Sequence, residues 1–210
     1  MKIRLLTPET LHDVAKEAAD VLSEGGVILF PTDTLYGLGA DALSTEAVQK
    51  IYTIKGRDPQ KPIHAIIPDR ASMTTLGTPS IAAEKLAVHF LPGPLTLILR
   101  KLPHLTTGIA SDIETIGIRI PHHPFCRTLS ENFPKPITAT SANLSGMETQ
   151  NSVETILAQL REKAQHIDFV IDAGTLPPSP PSTVVDMTST PPIILRNGII
   201  PESAIIKALE

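Results

Sequence analysis

The chain has 210 residues, 41% of them hydrophobic and 19% charged, which suits one domain with a real core and excludes a disordered chain. With 18 Lys and Arg against 22 Asp and Glu, the formal charge is -4. That excludes a globally basic nucleic-acid coat and leaves room only for a local basic patch.

Thr7 reads as the N-cap, and Pro8 as part of the first turn, of a helix carrying Leu11, Val14, Ala15, Ala18, Val21 and Leu22 at helical spacing. Gly25-Gly26 stops it. Val27–Phe30 follows as an apolar run of strand length ended by Pro31, and Ser44–Lys55 as a second helix with Ala47, Val48, Ile51 and Ile54 on one face. Ile63–Ile67 reads as a strand, Ile81–Phe90 as a helix, Leu95–Leu99 and Ile116–Ile120 as strands, and Pro124–Leu129 as a short helix. Ile137–Thr140 is a strand, Val153–Ala164 a helix, and Phe169–Ile171, Val184–Met187 and Ile193–Leu195 are strands. Pro201–Leu209 closes the chain as a helix.

Strands alternating with helices predict an α/β domain, and the close strand pairs at 95–120 and 184–195 predict that part of the sheet is antiparallel. The 20 prolines break the chain into short elements. The Pro-rich stretch Leu176–Ser182 is too short to separate two domains and reads as a stiff surface loop. Residues 1–210 are therefore expected to form a single domain. Met1–Leu11 lacks a charged-then-apolar leader and no apolar run approaches about 18 residues, so a cytoplasmic chain without a membrane span is expected.

Chemistry-bearing residues cluster in a few places. Gly37-Leu-Gly-Ala-Asp-Ala42 matches a dinucleotide-binding pattern, but that fingerprint needs its glycines on the turn directly after a strand, and Pro31–Tyr36 intervene. His122, His123 and Cys126 lie close together without the fourth ligand a structural zinc requires. His64, inside an apolar strand, reads as a packed core histidine. Lys55-Gly-Arg57 either complements the negative end of a helix or forms a turn that aims two cations. Thr138–Gly146 is a run of small hydroxyl and amide residues after a strand. It is either an ordinary turn or a cradle for phosphate or carboxylate oxygens, with Ser141 and Asn143 facing one side in extended backbone. Aromatics at 3% make the core aliphatic and argue against base stacking.

Together these segments resemble the YrdC-like threonylcarbamoyl-AMP synthases. The resemblance rests on Pro31–Gly39, Lys55-Gly-Arg57, Leu91-Pro-Gly-Pro-Leu-Thr96, Ile118–Pro121, Thr140–Gly146, Ser182–Asp186 and Leu195-Arg196, in the family's order and spacing from about Gly25 to Arg196. It implies a single α/β domain with a twisted, largely mixed sheet and flanking helices around a concave basic cavity. It also implies a nucleotidyltransferase that joins L-threonine, bicarbonate and ATP, with Mg²⁺ carried by the ATP. The product would be the activated donor for the adenosine beside the tRNA anticodon, with tRNA or tRNA-modification proteins as partners.

By the same resemblance, Lys55 and Arg57 would stabilise charge in catalysis, and no protein metal ligand is implied. Lys55, Arg57, Thr107, Ser141, Asn143 and Arg196 would bind the nucleotide, and Thr32, Arg119 and Ser182 the threonine. After Gly146 this chain has Met-Glu-Thr-Gln-Asn151 where many members carry Ser-Pro-Thr, leaving Asn151 as a candidate contact there. The chain ends soon after Arg196, as in the short form without an extra C-terminal domain.

The implied chemistry suits these residues. A carbamate formed from the amino group and bicarbonate is already an anion, so its attack on the α-phosphorus needs no general base. Cations and orientation then do most of the catalysis, and good orientation alone is worth roughly 7–11 kcal/mol. Two rivals remain at this point: an RNA-binding module without chemistry, and the carbamoyltransferases of hydrogenase maturation. The latter carry acylphosphatase-like and zinc-binding regions for which this chain has no room.

Overall fold

A computed structural model describes residues 1–210. Its strands are β1 (Lys2–Leu5), β2 (Ile28–Pro31), β3 (Tyr36–Gly39), β4 (His64–Ile66), β5 (Gly77–Thr78), β6 (Leu95–Lys101), β7 (Thr115–Arg119), β8 (Ile137–Ser141), β9 (Phe169–Asp172), β10 (Thr183–Asp186) and β11 (Ile193–Arg196). Its helices are α1 (Leu11–Ser23), α2 (Thr45–Lys55), α3 (Met73–Leu76), α4 (Ile81–Phe90), α5 (Pro124–Asn132), α6 (Val153–Leu160) and α7 (Glu202–Leu209).

The apolar run at 27–30 explains the layering. Val27 and Leu29 join a core of 38 buried residues with α2, α4, α6 and α7, while Ile28 and Phe30 join a second core of 15 with α1 and α5. A strand covered on both faces is apolar at every position, so this run does not alternate. The strands form one sheet in the order β1-β9-β2-β3-β8-β4-β7-β6-β10-β11, with β5 added beside β6. It is mixed: β1-β9, β9-β2, β4-β7 and β10-β6 are parallel, and the remaining pairs antiparallel. The antiparallel pairs expected near 95–120 and 184–195 are β6-β7 and β10-β11.

Local chemistry sets the boundaries that sequence periodicity misplaces. Helix α1 begins at Leu11, one turn later than Thr7 predicts. Thr7 and Thr10 bond each other's backbone N–H instead, closing a separate turn ahead of the helix. The predicted helix Val153–Ala164 breaks at Arg161, whose φ of 52° is left-handed, and continues only as a 3₁₀ segment over Arg161–His166. Strands β1 and β3 are not apparent from periodicity. Lys2 and Arg4 face α1 and pair with Glu17, which disguises β1 as a polar terminus.

In β3, Gly37 and Gly39 lie within an antiparallel strand against Phe30, not on a phosphate-binding turn, which removes the dinucleotide reading. No helix is long and apolar enough to cross a membrane. A Cβ at Gly39 would sit 2.8 Å from Phe30 Cε1 and 3.1 Å from Ile137 Cγ2, both buried. Gly39→Ala is therefore expected to lower unfolding free energy by about 1–3 kcal/mol, measured as a fall in the urea midpoint at unchanged slope.

Candidate active site

A cavity of about 330 Å³ opens where the two halves of the sheet meet at β8. Its wall takes residues from the β2–β3 turn, β4, β6, β7, β8 and β11, and from the end of the Pro-rich loop. Arg57, Arg119 and Arg196 line it among threonine and serine hydroxyls, and no carboxylate belongs to the lining. The structure thus brings together six of the residues expected at the site: Thr32, Arg57, Arg119, Ser141, Ser182 and Arg196.

Each cation is held in its own way. Arg119 ends β7 and is buried; it donates from Nη1 to Thr34 Oγ1 at 3.0 Å and from Nη2 to Asp33 Oδ1 at 2.5 Å. Thr32 Oγ1 holds the turn carrying Asp33 by donating to Leu35 O at 2.7 Å and accepting from Leu35 N at 3.2 Å. Burial pulls the Arg119 pKa down and Asp33 opposes that pull. Its Nε is buried without a protein acceptor. Arg196 donates to Ser182 O at 2.9 Å and to Ser182 Oγ at 3.0 Å, and Ser182 Oγ lies 2.9 Å from Thr96 Oγ1. Burial first, and then repulsion from Arg119, lowers the Arg196 pKa. Arg57 grips its own loop through Lys61 O and Pro62 O, at 3.2 and 3.1 Å.

Lys55 and Asn143 sit differently from what the signature suggests. Lys55 ends α2, and Gly56, left-handed at φ 57°, turns the chain so that Arg57 faces the cavity. Lys55 itself is only 2% exposed and does not line the cavity. Its Nζ donates to Ser141 O at 2.6 Å, Asn143 O at 2.9 Å and Asn143 Oδ1 at 3.0 Å. Burial, with a smaller push from Arg57, drives its pKa down to about 7, while the three oxygens favour the charged form. Asn143 is buried behind the turn, accepting from Ser141 Oγ at 2.6 Å and donating to Met147 O at 2.6 Å.

Thr107 is exposed outside the lining, at the N-cap of the 3₁₀ turn Gly108–Ala110. Asn151 Nδ2 donates to Leu176 O at 3.1 Å, and from that segment it is Thr149 that reaches the wall. Cys126 is buried near Pro31 O, away from any zinc-like grouping.

Sequence reasoning missed His64, Thr34, Thr96 and Thr149. His64 lines the cavity, and its ring occupies space that only Gly117 leaves, since a Cβ there would fall 2.4 Å from His64 Cδ2. Burial first, then Arg196, Arg57 and Arg119, pushes its pKa down to about 4. A lone histidine in a short apolar strand was the available signal; its glycine neighbour, three strands later in the chain, was not.

The α/β domain with its mixed sheet thus carries a central cavity that presents three arginines and a fringe of hydroxyls. The family model Sua5/YciO/YrdC, described as "Telomere recombination", matches residues 20–198, and the chain belongs to that family. A Methanocaldococcus jannaschii protein provisionally named for threonylcarbamoyl-AMP synthesis is 38% identical over 96% of this chain and 93% of its own. The threonylcarbamoyl-AMP synthase of Pyrococcus abyssi is 37% identical over 91% of this chain and 56% of its own. That of Bacillus subtilis is 38% identical over 90% and 54%. The chain thus spans about half the length of these two longer relatives. Among solved structures, P. abyssi Sua5 complexed with L-threonine superposes with a TM-score of 0.89 at 35% identity, covering 99% of this chain and 60% of that one. Escherichia coli YciO superposes at 0.81 with 27% identity, covering 95% and 97%.

Two outcomes follow from this geometry. With its pKa near 4 in the fold against an ordinary 6.5, His64 contributes stability that is complete above about pH 6.5 and is lost as pH falls towards 4. Imidazole NMR is expected to show His64 neutral throughout pH 5.5–8 (an ordinary midpoint near 6.5 would contradict it). Asp33→Ala leaves the Arg119 charge buried and uncompensated, and is expected to destabilise the fold by about 3–5 kcal/mol in chemical denaturation.

Proposed function

We propose that the chain is a threonylcarbamoyl-AMP synthase, converting L-threonine, bicarbonate and ATP to L-threonylcarbamoyladenylate and pyrophosphate. The observation that carries the reading is the meeting of Arg57, Arg119 and Arg196 on one cavity with no carboxylate in its lining. The names of the relatives above agree with it.

The neutral amino group of threonine adds to bicarbonate and water leaves, giving a carbamate. A carbamate oxygen then attacks the α-phosphorus of ATP, and the bond to the β-phosphate oxygen breaks to release pyrophosphate. The nucleophile already carries a negative charge, so the main barrier is bringing an anion to a polyanion. Fixed guanidinium groups lower that barrier without reorganising during the reaction.

In this reading Arg57, Arg196 and the Ser141 hydroxyl serve the phosphates, with Asn143 acting through the turn. Thr32, Arg119 and Ser182 hold the threonine and its carbamate. Mg²⁺ enters with the triphosphate as part of the substrate. The product would pass to enzymes that modify the adenosine beside the tRNA anticodon. A cytoplasmic location fits this role and the one buried, unpaired thiol at Cys126.

The test is pyrophosphate release from ATP and Mg²⁺, with L-threonine and bicarbonate added separately and together. Release is expected only with both, and not when L-serine replaces threonine. No release from folded protein would leave an RNA-binding module, whose tRNA affinity would fall steeply with salt. Arg57→Ala is expected to cut adenylate formation at least about tenfold, equivalent to about 1.4 kcal/mol of transition-state stabilisation. Unchanged activity in the folded variant would remove Arg57 from the site.

A further inference from the structure

We infer that Lys55 is a positioning residue: it pins the Ser141–Asn143 turn in its binding shape from beneath and does not itself touch the nucleotide. This rests on the reading above, in which that turn serves the phosphates.

An ammonium has three N–H donors and no acceptor. The Lys55 Nζ has three oxygen partners, Ser141 O, Asn143 O and Asn143 Oδ1, at 2.6, 2.9 and 3.0 Å. With Lys55 only 2% exposed and outside the cavity lining, its three donors are all spent on the protein's own oxygens and none is left over. The backbone adds to the pin, since Ser145 N donates to Lys55 O at 2.8 Å.

The turn is consequently tied to the end of α2 at three residues, Ser141, Asn143 and Ser145. Asn143 relays the constraint. The Oδ1 that accepts from Lys55 also accepts from Ser141 Oγ at 2.6 Å, and Nδ2 donates forward to Met147 O at 2.6 Å. Gln159 Oε1, from α6, accepts from Leu144 N at 3.2 Å and holds the outer side. No carboxylate contacts the ammonium, so its positive charge stays behind the turn and favours an anion on the cavity side of Ser141. A residue that bound phosphate directly would have to give up these oxygens, leaving buried carbonyls unsatisfied.

The deciding experiment combines amide hydrogen exchange on ligand-free protein with steady-state kinetics for Lys55→Met. The exchange measurement requires no activity, so it stands apart from the synthase reading, which wild-type pyrophosphate release tests separately. The expected result is exchange at Asn143, Ser145 and Met147 faster by at least about tenfold, with the middle of α2, around Ile51, within about twofold of wild type. The KM for ATP should rise by at least about tenfold alongside it.

A raised KM with unchanged exchange at 143–147 would overturn the proposal and assign Lys55 a direct nucleotide contact. Faster exchange with an unchanged KM would overturn it too, because the turn would then not bear on ATP. Should Lys55→Met fail to fold, Lys55→Gln carries the same test. Its amide can satisfy part of the oxygen set, so changes of the same sign and smaller size are expected in both readouts, and a change in one alone overturns the proposal.

Discussion

The site depends on one strand. β8 is antiparallel to β3 on one side and to β4 on the other, and so joins the β1-β9-β2-β3 half of the sheet to the β4-β7-β6-β10-β11 half. Thr138, fully buried in it, donates its hydroxyl to Leu38 O and accepts from Ala40 N, locking β8 to β3 and the residue after it. Ala142 N still reaches Tyr36 O, and then the strand gives way to the turn that carries Asn143. Where β8 stops determines where Ser141 lies, and the cavity is the space between the two halves at that point.

Charge is the second constraint. Three guanidinium groups and a neutral imidazole share one cavity, and the arginines raise the cost of protonating His64 and of keeping Arg196 charged. The fold accepts that cost with few acids: Asp33 alone makes an ion pair with a cavity arginine, and it does so from behind the wall. Such an arrangement is preorganised. Its donors are held in place by the protein's own oxygens, and repulsion between Arg119 and Arg196 is already present in the folded protein.

Much of the fold was legible because burial leaves a periodic trace. Helix α4 coincides with its expected span, and α2 follows its expected Ser44–Lys55 span to within one residue, with the Ser44 hydroxyl accepting from Ala47 N at 3.3 Å as its cap. Strand β3 was not legible because its glycines make room for the Phe30 ring, a contact with no signature in local sequence. The site was legible as a set of small, hydroxyl-bearing and cationic segments. Their division of labour was not. Lys55 and Arg57 are two residues apart and of like charge, yet one is buried under a turn and the other faces the cavity, because Gly56 reverses the chain between them.

The amino-acid sequence by itself determined the α/β class and the aliphatic core, because each follows from residue type and short-range spacing. Only the tertiary structure decided that His64 belongs in the cavity and that Lys55 spends its charge on the protein's own carbonyl oxygens. Both outcomes hang on partners far along the chain, Gly117 for the imidazole and Ser141 and Asn143 for the ammonium. Contacts of that separation are made by sheet register and burial, and no local pattern encodes them.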